Sequence, residues 1–202
     1  HPYKQKLKKR LENISSKAMV SLEEVCLMHT YLAEIHGEMI MDALKTWKIK
    51  PKDVDAIASH GQTVYHAPKI QHRQQEIPNT TLQIGDGDHL ALSTGILTIS
   101  DFRQKHTAAG GEGAPMVSLV DSLLYTHPRE NRILLNIGGI ANYTWLPANN
   151  SHETNYLTTD TGPGNTLVDA AAKAFFSQDY DKDGKIARKG AVDLALLKLL
   201  KS

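Results

Sequence analysis

One cysteine, Cys26, leaves no partner for an internal disulfide. A reducing, cytoplasmic setting is the simplest inference. No apolar run approaches the ~20 residues of a membrane-spanning helix, and no signal-peptide pattern opens the chain. The Asn-x-Ser/Thr triplets at Asn13, Asn79, Asn142 and Asn149 therefore read as chance matches. Charge of one sign is also missing: 23 Lys and Arg face 22 Asp and Glu, for a net charge of +1. No global field draws such a chain to nucleic acid or to a membrane. The one basic run, Lys4–Arg10, reads as a solvated helix face. There is no Walker A sequence, no Gly-x-Gly-x-x-Gly after a strand and no Gly-x-Ser-x-Gly elbow. Metal-ligand spacing of Cys and His is absent, so no metal-ligating residue is expected. "DYDKDG" (Asp179–Gly184) imitates the start of a calcium loop, but Gly190 stands where a bidentate Glu is needed, so it reads as a turn.

What remains is ordinary globular composition, 41% hydrophobic and 22% charged, enough for one large domain or two modest ones. Ser21–Leu44 is the clearest helix, with Ser21 and Glu24 spaced as a capping box. Strands are expected over Val54–Ser59, Thr80–Ile84 and Ile96–Ser100, and a helix over Asp88–Thr94. Gln-rich Pro68–Asn79 reads as a loop, and Pro115–Tyr125 as a helix with proline in its first turn. The polar stretch Thr126–Asn131 is the best boundary, dividing residues 1–128 from 129–202. Beyond it come a hairpin, Arg132–Ile137 and Ile140–Leu146 around Gly138-Gly139, and a polar loop, Pro147–Asn155. A strand over Tyr156–Thr159, a helix over Asn165–Phe176 capped by Asn165, and a leucine-rich helix over Val192–Leu200 follow. Alternating strands and helices argue an α/β fold with at least partly parallel sheets. The chain does not begin with Met, and it reads as a piece of something longer.

Four glycine-bearing polar segments follow four of these strands: "SHGQT", "SDFRQKHTAAGGEGAP", "NIGGIAN" and "DTGPGN". Ligands in open α/β sheets bind at the carboxyl ends of strands. Asp101, at a strand tip, is placed to act as a general base on water or a hydroxyl. Arg103, two residues on, would share its side in an extended chain and either pair with Asp101 or fork onto a substrate oxygen. A plain structural Asp–Arg pair fits the same spacing. His60 and Gln62 offer hydrogen bonds to a sugar hydroxyl, and His60 equally suits a structural role. Gly138 and Gly139 let backbone N–H groups approach an anion, or simply make a tight turn. Asp160, Gly162, Gly164 and Asn165 lead into a helix whose N-terminus favours phosphate, or they merely cap it.

In this order the stretches "ASHGQTVYH", "TLQIGDGDHLALSTGI", "SDFRQKHTAAGGEGAP", "LLNIGGIAN", "DTGPGN" and "YDKDGKIARKG" resemble the anhydro-N-acetylmuramic acid kinase family. The resemblance runs from about Val54 to the end. It implies the ribonuclease-H-like, two-domain fold of the sugar kinase/Hsp70/actin superfamily, present here in part: the end of domain I and the start of domain II. It further implies ATP with Mg²⁺ and a sugar as partners, in a cell-wall recycling enzyme for which a homodimer is compatible. In the implied reaction water opens 1,6-anhydro-N-acetylmuramic acid and O6 takes a phosphoryl group from ATP. Asp101 matches the family's base, and His60, Gln62 and Arg103 fall to the sugar side. Gly138, Gly139, Asn142, Asp160, Gly162, Gly164 and Asn165 fall to the phosphate side. Glu112 departs from the family's usual Gln. The family's first phosphate loop and its adenosine-binding part are not among these residues, so this stretch alone is expected to be inactive. A non-catalytic sugar- or nucleotide-sensing protein on the same scaffold and a kinase of another sugar are the alternatives.

Overall fold

The computed structural model describes residues 2–149 and 155–201. Residues 150–154 of the polar loop expected over Pro147–Asn155, with the last two positions of the Asn149 triplet, lie outside the described residues. The chain forms two compact units, His1–Met116 and Val117–Ser202.

In the first unit, helix α1 (Gln5–Ile14) places Leu7, Leu11 and Ile14 on one face by their 4- and 3-residue spacing, and all three are buried. Helix α2 (Leu22–Trp47) starts where expected, because the Ser21 hydroxyl accepts the Glu24 N–H at 3.2 Å. The second half of the capping box does not form. The Glu24 carboxylate instead accepts from Arg10 Nε and Nη2, at 2.7 and 3.0 Å. Met28 and Leu32 of α2 are fully buried against α1 and against Val64 and Ile84 of the sheet below. Each such side chain contributes about 1.5–3 kcal/mol of burial.

Strand β1 (Ile57–Ala58) is shorter than expected, and strand β2 (Gln62–Ala67) covers residues to which no element is assigned from sequence. Gly61 explains the change of course. Its φ of +69° turns the chain between the two strands. β2 pairs antiparallel with β3 (Thr80–Ile84). The register shifts between Thr63 and Tyr65, leaving Val64 as the extra residue of a bulge that drops into the core. Part of the Gln-rich loop forms a single helical turn, α3 (Lys69–His72). Helix α4 (Gly87–Thr94) is capped by Asp86 and ends at Gly95 in the left-handed conformation. Strand β4 (Thr98–Ile99) pairs parallel with β1, and α5 (Phe102–Ala108) leaves it at once. This is the one parallel pairing among the described residues.

The second unit begins earlier than the 128/129 boundary expected from composition. Helix α6 (Ser118–Tyr125) belongs to it, and Asp121 accepts a hydrogen bond at 2.9 Å from Thr144 of its sheet. The helix also starts at Ser118, so Pro115 lies in the link before it rather than in its first turn. Strands β5 (Arg132–Ile137), β6 (Ile140–Leu146) and β7 (Leu157–Pro163) form an antiparallel sheet in the order β5-β6-β7. β7 runs on through Asp160 to Pro163, a stretch that reads as loop. A bulge at Thr161, with Gly162 at φ +134°, lets pairing with β6 continue. Proline is tolerated there as the last residue of an edge strand. Helices α7 (Asn165–Phe176) and α8 (Leu194–Leu200) flank two short 3₁₀ turns.

Candidate functional site

In the first unit the chain leaves β1 at Ser59-His60 and β4 at Ser100-Asp101, so the parallel pairing brings both exits to one edge. Asp101 has φ +61° and ψ +32°. Lys48, Arg73 and Ser177 share that region as residues closing helices, where it is a usual cap. Asp101 instead opens one. Asp is among the few non-glycine residues that adopt this conformation readily. The consequence is a sharp strand-to-helix corner with the carboxylate exposed at its tip. Oδ2 accepts the Ser100 hydroxyl at 2.9 Å, and Oδ1 has no hydrogen-bond partner among the described residues. One oxygen is held while the other is open to a substrate.

The expected Asp101–Arg103 pair does not form among the described residues, because the chain between them is helical rather than extended. Arg103 turns to other partners. Its Nε donates to His60 Nε2 at 2.7 Å and its Nη1 to the Gly113 carbonyl at 2.7 Å. Arg has no acceptor to offer, so His60 Nε2 must receive. The ring proton then sits on Nδ1, which faces the Gly61 carbonyl at 3.0 Å. Arg103 thus ties three segments together: α5, the β1–β2 turn and the end of the glycine-rich loop. Burial pulls its guanidinium below its ordinary pKa. Gln62 opens β2 opposite Ile84, two residues beyond His60. Glu112 is exposed and forms no ion pair among the described residues.

In the second unit the hairpin is tighter in function than in turn type. Ile137 pairs with Ala141, so Gly138, Gly139 and Ile140 lie inside the last β5–β6 pair, with Ile140 pairing instead with Pro163 of β7. Neither Gly138 nor Gly139 is in the left-handed region. The glycine that cannot be replaced is Gly164, since a Cβ there would collide with the Gly138 carbonyl oxygen. The start of α7 presses against the turn. Gly164 N–H donates to Gly139 O at 2.8 Å and Asn165 N–H to Gly138 O at 2.7 Å. Asn165 does not cap the helix as expected. It is the first helical residue, and its Nδ2 donates to Ile137 O at 3.0 Å.

These bonds consume the N–H groups at the start of α7, so that terminus is not an open anion site. They also orient the hairpin. In a trans peptide the C=O and the following N–H point opposite ways. With the Gly138 carbonyl aimed at α7, the Gly139 N–H faces away from it, toward the hairpin's outer side. Asn142 lies directly opposite Asp160 on one side and Asn136 on the other. Residues directly opposite in a sheet share a face, so the three polar side chains form one row. Sequence reading singled out Asn142 and Asp160 but not Asn136. Register, which only the fold supplies, joins it to them.

Among the described residues no group of three or more His, Cys, Asp or Glu side chains could hold a metal ion. The "DYDKDG" segment is a turn, as expected. Both Asp181 oxygens accept backbone N–H groups, from Ile186 at 2.8 Å and Ala187 at 2.9 Å. No helix among the described residues is long and apolar enough to cross a membrane.

A family profile described as "Anhydro-N-acetylmuramic acid kinase" matches residues 1–202. Relatives carrying that name include one from Pseudoalteromonas atlantica, 52% identical over 96% of this chain and 48% of its own. A second, from Pseudoalteromonas translucida, is 45% identical over 98% of this chain and 49% of its own. A third, from Caldanaerobacter subterraneus subsp. tengcongensis, is 39% identical over 95% and 49%. The chain spans about half the length of the curated relatives it matches.

Proposed function

The chain belongs to the anhydro-N-acetylmuramic acid kinase family, and from that premise we propose that it is the central half of an ATP-dependent kinase of 1,6-anhydro-N-acetylmuramic acid. The two units are then the end of domain I and the start of domain II of a ribonuclease-H-like, two-domain enzyme working in the cytoplasm. Asp101 takes a proton from water as the water oxygen bonds to C1. The C1–O6 bond breaks, and O6 receives the γ-phosphoryl group, giving N-acetylmuramate 6-phosphate and ADP.

The observation that carries this reading is the Asp101 corner. An ionisable side chain stands at a strand tip, in a left-handed conformation that begins a helix, with one oxygen held and one open. Residues in sparsely populated backbone regions persist where surrounding structure over-determines them, and they cluster at functional sites. His60 and Gln62 lie at the neighbouring strand exit, on the sugar side. Arg103 acts on that side through His60, as a positioning residue.

For ATP, the hairpin suits phosphate better than the helix terminus does. Its carbonyls are turned to α7, which leaves the Gly139 N–H directed outward as a donor for a phosphate oxygen. Phosphoryl transfer depends on such positioning and charge neutralisation. Mg²⁺ bound with the nucleotide supplies charge neutralisation. Among the described residues a single carboxylate such as Asp160 would support it, which suits a metal held largely by phosphate and water.

The test is Asp101→Asn in the full-length protein. We expect kcat for the anhydro sugar to fall at least a hundredfold, the range general-base removal costs, with KM changed little. Near-normal turnover would remove Asp101 from the role.

A further inference from the structure

The "GDGD" segment has no part in the reaction above, yet it is a heavily tied turn of the first unit. We propose that Gly85-Asp86-Gly87 is a wedge that sets the position of both site-bearing strand exits, with Asp86 and His29 as positioning residues for the reaction. This inference rests on the kinase reading.

Asp86 sits at the junction of β3 and α4. Its Oδ1 accepts the His89 backbone N–H and faces His89 Nδ1, each at 2.8 Å. Its Oδ2 lies 3.2 Å from His29 Nε2, on α2. The backbone repeats the link, since Asp86 N–H donates to the His29 carbonyl at 3.2 Å. His29 Nδ1 in turn accepts the Gly85 N–H at 3.1 Å. That fixes its tautomer, with the proton on Nε2 pointing at Asp86. Three contacts therefore clamp one turn to the long helix. The carboxylate is held below the usual Asp range, chiefly by the His89 backbone N–H and then by its side chain.

The clamped turn touches the site on two sides. Gly85 packs on the Gly61 backbone, since a Cβ on it would lie 3.4 Å from Gly61 Cα. Gly61 follows His60. Gly87 packs on Ser100, where a Cβ would lie 2.5 Å from Oγ and 3.0 Å from the Ser100 Cβ. Ser100 holds Asp101 Oδ2. Gly87 allows its approach by lacking a side chain, and Gly85 is needed for its φ of +112°, which carries the chain from β3 into this turn. Displacing the turn would move the His60 loop and the Asp101 corner together, although Asp86 touches neither side chain.

The experiment uses the full-length protein and compares Asp86→Ala, His29→Ala, His29→Gln and a control, Thr94→Val. Thr94 lies at the far end of α4, where its hydroxyl donates to the Leu90 carbonyl at 2.8 Å. The control weakens the same helix without touching the wedge. We expect Asp86→Ala and His29→Ala to lower kcat at least tenfold with KM for ATP within twofold. Backbone amides of residues 99–105 should exchange with solvent at least tenfold faster. His29→Gln keeps one acceptor and one donor and should recover most of the loss. Thr94→Val should lower the melting temperature and leave kcat and the exchange of 99–105 within twofold. Wild-type kcat and exchange in Asp86→Ala, or equal losses in Thr94→Val, overturn the wedge. Should Asp86→Ala fail to fold, Gly87→Ala drives a methyl group at Ser100 and decides by the same readouts. If the wild-type protein does not phosphorylate the anhydro sugar, the kinase reading fails, and the exchange measurements still decide the wedge.

Discussion

Replacing Arg103 by Met keeps the apolar stem of the side chain while removing every donor. Two hydrogen bonds of 2.7 Å are lost, to His60 Nε2 and the Gly113 carbonyl. A hydrogen bond to a charged group contributes about 1.5–3 kcal/mol. His60 is exposed and regains water, whereas Gly113 is buried and its carbonyl is left without this donor. Leaving a buried acceptor unsatisfied costs about 1–3 kcal/mol, so a net loss of about 2–3 kcal/mol is expected. The sharper quantity is coupling. A double-mutant cycle between Arg103→Met and His60→Ala should give an interaction energy of about 1 kcal/mol, the scale for residues in one network. The same cycle with Asp101→Asn should give about 0.3 kcal/mol or less, the scale for independent sites. Urea denaturation of the full-length protein and its variants supplies the energies. Substrate KM should rise with Arg103→Met through the released His60 ring. Strong coupling of Arg103 to Asp101, with none to His60, would refute the reasoning and restore the simple acid–base pair that the spacing suggests.

Gly164→Ala puts a methyl group onto the Gly138 carbonyl oxygen, a backbone atom that cannot swing aside. Overpacking of this kind costs about 1–3 kcal/mol, so thermal melts should shift down and KM for ATP should rise; an unshifted melt would contradict the packing. His36 is half-buried beside Tyr3, with Tyr3 OH 2.7 Å from its Nε2, and this partial burial lowers its pKa. The unfolded chain therefore binds the proton first as pH falls. Stability should be complete above the unfolded value of about 6.5 and decline as pH drops through the folded one. His36→Phe should flatten that decline in melts between pH 7 and 5. Backbone N–H groups, that of Ile186 first, lower the Asp181 pKa. Its contribution should be full above the unfolded value near 4 and vanish as acid protonates it in the fold. Asp181→Ala should melt lower than wild type at pH 6 and alongside it near pH 2.

Elements with strong local signals were legible from the chain. Ser21 and its spacing to Glu24 mark the start of α2, and Thr80–Ile84 and Asn165–Phe176 match β3 and α7 to the residue. The two runs around Gly138-Gly139 coincide with β5 and β6. Elements that depend on a partner were not legible. β2 is not expected from sequence because its stability comes from pairing with β3 and from burying Val64 under α1 and α2. β7 extends past Thr159 only because a bulge accommodates Thr161. The site shows the same division. Asp101, His60 and Arg103 stand out by residue type and by position after strands. Their mutual bonding does not, because it depends on the left-handed turn at Asp101.

By itself the sequence determined the α/β character, the strand-end position of Asp101 and the family, since each rests on residue types at fixed spacings. Only the tertiary structure decided who bonds to whom. A period-2 extension would point Arg103 with Asp101, whereas the helix that begins at Phe102 carries it to His60 and Gly113. Parallel pairing of β1 with β4 brings together residues some forty positions apart, and hairpin register adds Asn136 to Asn142 and Asp160. Those contacts are non-local, and no local propensity encodes them.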